Sequence, residues 1–117
     1  MQEDELRELM KNWHLLKKAV TEAFGMEPDL QTLLFLIGLQ ELGKGGQKFD
    51  KEEKMNLMHV ATCKVLSIYG FYKLDHIDED GWPHYVEDLP LPALSLKEQD
   101  LLLKKAVVTY FQQHSFI

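Results

Sequence analysis

The chain has 117 residues, 45% of them hydrophobic and 27% charged, with a formal net charge of -6; these values suit one globular domain, residues 1–117, with a single core, and exclude a disordered chain. An acidic surface repels phosphate backbones and anionic lipids, so neither nucleic acid nor a membrane is expected as a partner. The chain has no apolar run long enough to cross a bilayer, its start Met1-Gln2-Glu3-Asp4-Glu5 is too acidic for a signal peptide, and its lone cysteine, Cys63, excludes an internal disulfide framework; together these predict a cytoplasmic protein.

The first helix is predicted over residues 4–24. Leu6, Leu9, Met10, Trp13, Leu16, Val20, Ala23 and Phe24 recur at three- and four-residue steps and make one stripe. Gly25 suits its end, and Pro28 suits the first turn of the next helix, with Asp29 adding favourable charge there. That second helix, residues 29–42, is apolar nearly all the way round from Leu33 to Leu39, so it is expected to be buried with the other segments wrapped about it.

Gly43-Lys44-Gly45-Gly46 reads as a helix terminator and a flexible connector. It is not a phosphate-binding loop, because the lysine precedes the glycine pair, no Ser or Thr follows, and the preceding element is a helix. Phe49 is expected to fold back on the core. Asp50 and Glu53 make a capping box for a third helix, residues 50–69, which stops at Gly70. Met55, Met58, Ala61, Thr62, Val65 and Tyr69 mark its predicted apolar face, broadened by Leu57, Val60 and Ile68.

The period then changes to that of strands. Phe71 to Ile77 and Trp82 to Val86 are rich in aromatic and β-branched residues, and Asp78-Glu79-Asp80-Gly81 lies between them, so a hairpin is predicted over residues 71–87. Pro83 places its strand at an edge. Leu89-Pro90-Leu91-Pro92 is an extended connector, and Ser95 with Glu98 forms a second capping box for a last helix, residues 95–113. Its predicted stripe is Leu96, Leu103, Val107, Tyr110 and Phe111, and the apolar tail Ser115-Phe116-Ile117 is expected to dock on the domain or on a second copy. The predicted fold is therefore mainly α: a compact four-helix domain with a two-stranded antiparallel hairpin between helices three and four.

Four groups of residues bear on chemistry. His59 and Cys63, four apart on one helix face, could share a metal ion if His76, His84 or hairpin aspartates supplied the missing ligands. Without them the pair is a packed cysteine beside a half-exposed histidine. His76, Asp78, Asp80, Gly81 and Glu87 fall at positions one, three, five, six and twelve of a calcium-loop pattern. Position one is His, Pro83 sits at position eight, and the flanks are strands, so a turn whose acids bond their own backbone is the better reading. The carboxylates around the hairpin could do acid–base work only if one were desolvated. The aromatic residues Phe71, Tyr72, Trp82 and Tyr85 exceed what a thin hairpin needs for its turn, and any left exposed would make a recognition patch.

The residues show no nucleophile–base set and no cofactor fingerprint, so no cofactor is expected. The composition favours a non-enzymatic protein-interaction module that self-associates as a homodimer, with Tyr72, Trp82, His84 and Tyr85 at the contact. A metal-binding protein or metal-dependent enzyme built on His59 and Cys63 with hairpin His or Asp residues is the alternative, and a small-molecule ligand between the helices is a third reading.

Overall fold

The computed structural model describes residues 2–43 and 48–117, and the predicted connector at Lys44, Gly45 and Gly46 falls outside them. The element order is α1 (Glu3–Phe24), α2 (Leu30–Leu42), α3 (Lys51–Ser67), β1 (Tyr72–Ile77), β2 (Pro83–Glu87) and α4 (Leu96–Gln113), a mainly α fold with an antiparallel hairpin between the third and fourth helices. No helix is long and apolar enough to cross a membrane among the described residues.

Local chemistry sets the ends of these elements. Asp29 stands just before α2 as its N-cap, not inside its first turn, and its carboxylate accepts the Thr32 N–H at 2.8 Å. Both capping boxes form. Asp50 accepts from the Glu53 N–H at 2.8 Å while the Glu53 carboxylate accepts the Asp50 N–H, and Ser95 with Glu98 does the same at the start of α4.

The third helix ends at Ser67, two residues short of the predicted Tyr69. The N–H groups of Ile68, Tyr69 and Gly70 turn to carbonyls three residues back, and Phe71 N–H reaches the Leu66 carbonyl. Gly70, at φ 83°, makes the left-handed turn that this closing motif requires and that a side chain resists. The tail closes α4 in the same way: Phe116 N–H donates to the Phe111 carbonyl, and the Phe116 ring rests on Phe111 with centroids 5.5 Å apart. Phe116 thus rests on its own helix, while it and Ile117 each keep 38% exposure.

The core joins Leu9, Leu16 and Val20 of α1 to Leu33, Leu34 and Ile37 of α2, Ala61, Val65 and Leu66 of α3, and Ala106, Val107, Tyr110 and Phe111 of α4. Its hub is α3, which packs against α2, α4 and both strands, whereas α1 packs mainly on α4. The predicted central role of α2 is corrected accordingly. That helix buries Leu33, Leu34, Ile37 and Leu42, but Phe35, Leu36 and Leu39 are only half-buried. The predicted faces hold except at their starts. On α3, Leu57, Val60, Ala61 and Val65 are buried as predicted and Cys63 joins them, while Met55 is exposed; on α4, Val107, Tyr110 and Phe111 are buried as predicted, while Leu96 is 84% exposed and the buried arc begins at Ala106. An amphipathic pattern assumes one buried side, but among the described residues α3 is covered from several sides and the first turn of α4 is exposed.

Helices α2 and α3 approach closely at Gly38 of α2. A methyl group there would stand 2.5 Å from the Leu57 backbone oxygen of α3. Gly38→Ala should therefore destabilise the domain by about 1–3 kcal/mol in urea melts, although alanine is the better helix former, because the clash is with backbone that cannot swing away. Asp50→Ala and Ser95→Ala should each cost about 0.5–2 kcal/mol in the same melts, and no loss at either site would mean that the boxes do not hold the helix starts.

Candidate functional site

Polar and aromatic side chains of α3 and the hairpin converge on one cleft. Its geometry starts in the turn. The strands are joined by five residues, Asp78 to Trp82, because Trp82 lies in the loop and β2 begins at Pro83. Asp78 N–H donates to the Trp82 carbonyl, and the Asp78 Oδ1 accepts the N–H groups of Asp80 and Trp82, both at 2.9 Å. The carboxylate is thus absorbed into its own turn, as expected for a structural loop.

The register then carries an irregularity. Tyr72 pairs with Glu87, Lys73 with Val86 and Leu74 with Tyr85, but His76 pairs with His84 and Ile77 with Pro83, so Asp75 is an extra residue on β1. Had the first register continued, Asp75 would face His84. The bulge instead sets the two histidines opposite each other. Their rings stack with centroids 4.6 Å apart and planes 5° from parallel. Each ring is also held by a carboxylate: His84 Nε2 lies 2.8 Å from Asp78 Oδ2, and His76 Nδ1 lies 2.7 Å from Asp75 Oδ2. The His84 bond, followed by the Trp82 and Asp80 amides, holds the Asp78 carboxyl below the usual carboxylate range.

Beside this pair is a cleft of about 300 Å³ lined by Asn56, His59, Asp78, Trp82, His84 and Tyr85 among others. His59 and Cys63 meet as their spacing predicts, Nε2 to Sγ at 3.6 Å. Yet Cys63 is only 1% exposed, so this face of α3 is covered at that point. Burial pushes the Cys63 thiol up, away from the thiolate that a metal requires. Among the described residues, no three His, Cys, Asp or Glu side chains gather to hold a metal ion, so the hairpin does not complete the predicted His59–Cys63 set.

Burial, with Glu41 and Cys63 nearby, pushes the Tyr85 phenol up to about 12. Below it the Tyr110 hydroxyl donates to Glu41 Oε2 at 2.7 Å, with Lys64 Nζ 3.6 Å from the other carboxylate oxygen. Burial and then the Glu41 bond raise the Tyr110 phenol as well, so it remains a donor.

Of the residues assigned to an interaction surface, Trp82, His84 and Tyr85 come together at the cleft, while Tyr72 lies further along the strand and does not line it. No aromatic of the set is bare: Phe71, Tyr72, Trp82 and Tyr85 are all half-buried, and the exposed apolar side chains of the hairpin are Leu74, Ile77 and Val86. Residue type flagged the aromatics, but exposure depended on which strand face α3 covers. The stacked histidines are not apparent in the sequence because their pairing follows from a five-residue loop, where the residue pattern predicts four. Compared with protein families, curated proteins and solved structures, the chain matches none.

The Asp78 shift has a pH signature. A carboxylate whose folded value is depressed adds stability above its unfolded value, near 3.9, and that stability is lost as pH falls through the folded one. Carboxyl-carbon NMR should place the Asp78 midpoint below that of an ordinary aspartate, and His84→Ala should move it back upward. An unmoved midpoint would mean that the His84 bond is not formed in solution.

Proposed function

We propose that this chain is a non-enzymatic protein-interaction module that pairs with a second copy through its hairpin. The observation that carries the reading is the state of β1 and β2. They form a two-stranded sheet to which no third strand is added among the described residues, and they carry Leu74 at 50% and Ile77 at 62% exposure. A two-stranded ribbon is marginal by itself, and its unpaired edges are templates for another strand. Packing on α3 supports the ribbon but adds no strand at its outer edges. Pro83 lacks an N–H, so β1 is the better donor edge. Pairing β1 with β1 of a second copy about a two-fold axis extends the sheet to four strands and brings the two Leu74 side chains toward one surface.

Light scattering behind size exclusion tests this. The expected mass is twice the 13.7 kDa of the chain at micromolar concentration. Leu74→Asp and Ile77→Asp should return it to the monomer with the far-ultraviolet circular dichroism unchanged. A wild-type mass of one chain, or dimers that survive both substitutions, would refute the reading.

A further inference from the structure

His76 and His84 are cross-strand partners, and the surroundings of their stacked rings are organised. Each imidazole gives one nitrogen to an aspartate: Nδ1 of His76 to Asp75 and Nε2 of His84 to Asp78. The opposite nitrogens, Nε2 of His76 and Nδ1 of His84, make no hydrogen bond to the described residues. A neutral imidazole that donates one N–H to a carboxylate presents a lone pair on its other nitrogen, with ring orientation set by the acid. That is the usual arrangement of a metal-bound histidine. Here it occurs twice, on cross-strand neighbours. All four side chains are accessible, since His76, Asp75, His84 and Asp78 keep between 34% and 57% of their side-chain surface.

We propose that His76 and His84 form a two-ligand site for a late first-row divalent metal, with zinc and copper the best suited, on the exposed face of the hairpin. Imidazole nitrogen selects these ions over magnesium and calcium, which prefer oxygen. Two metal–nitrogen bonds of about 2.0–2.1 Å at a tetrahedral angle bring the nitrogens to about 3.3 Å, so rings now 4.6 Å apart must tilt toward each other. Both side chains are accessible and stand on neighbouring strands, so χ rotation is the movement that would supply this tilt. Water fills the remaining positions, because the described residues gather no third protein ligand. The site is therefore open and exchangeable, not a structural centre. It is separate from the His59–Cys63 pair and uses no thiolate. It does not depend on self-association, because both ligands come from one chain.

The test uses the full chain, free of any tag and stripped of metal, titrated with zinc chloride by calorimetry and by NMR of the imidazole ring signals. Magnesium chloride serves as the control. One equivalent of zinc should bind, shifting the ring signals of His76 and His84 and leaving His14 and His114 in place. His76→Ala and His84→Ala should each weaken binding by at least about tenfold, and Asp75→Asn and Asp78→Asn, which remove the orienting carboxylate, by about tenfold. His59→Ala combined with Cys63→Ser should leave the affinity unchanged. The ring signals are read on the wild type, so a variant that fails to fold does not leave the proposal untested. Absence of zinc binding at millimolar concentration would overturn it, as would shifts confined to other histidines, binding that survives loss of both His76 and His84, or binding abolished by the His59 and Cys63 substitutions.

Discussion

The backbone contact between Gly38 of α2 and Leu57 of α3 is the constraint on which the rest of the domain depends. With a side chain at position 38 the helices could not approach this closely, since even one methyl group would meet the Leu57 oxygen at 2.5 Å. Close approach lets Leu34 and Ile37 of α2 reach Ala61 and Val65 of α3 within one continuous core. It also turns the remaining sides of α3 toward α4 and the hairpin. A segment as apolar as α2 needs a broad covering surface, and α3 provides the larger part of it.

A polar trio ties the same helices together at one end. Tyr110 from α4 donates to Glu41 from α2, and Lys64 from α3 stands beside the same carboxylate. Hydrogen bonds to a charged group contribute about 1.5–3 kcal/mol. The 3.6 Å ion pair, with Lys64 about one-third exposed, adds little. Its orientation matters more than its energy, because a buried tyrosine with one good acceptor fixes the rotation of α4. The ring of His114 stacks on Tyr110 at 4.0 Å and closes this end against the tail.

On α3 rests the hairpin, and the two faces of the junction have different chemistry. Toward the helix, Tyr85 and Tyr72 are desolvated, and both phenols are raised by burial before any charge acts on them. Near the turn, Asp75, Asp78, His76 and His84 remain partly wet and bond in pairs. Desolvated groups with raised values and buried thiols are poor reagents at neutral pH. Hydrated imidazoles held by carboxylates remain available to a ligand. The hydrated groups of this surface therefore lie near the turn, and Cys63 is buried.

How much of this was legible follows from the range of the interactions involved. Helix starts at Asp50 and Ser95, the turn at Gly70 and the presence of a hairpin within residues 71–87 depend on neighbours a few positions away, so the local sequence carries them to within a residue or two. The meeting of His59 with Cys63 is equally local, being set by helix pitch. Burial is not local. Cys63 became core because two strands and α2 cover α3, and Leu96 became surface because, among the described residues, the first turn of α4 stays exposed. The His76–His84 pair needed one residue more in the turn and one more in β1, and a single-residue slip in a strand reverses every face. Sequence alone determined the elements and their caps, whose energies are decided within one helical turn. Tertiary structure alone decided which faces are dry and which side chains meet across strands, because those depend on elements that come together only when the chain folds.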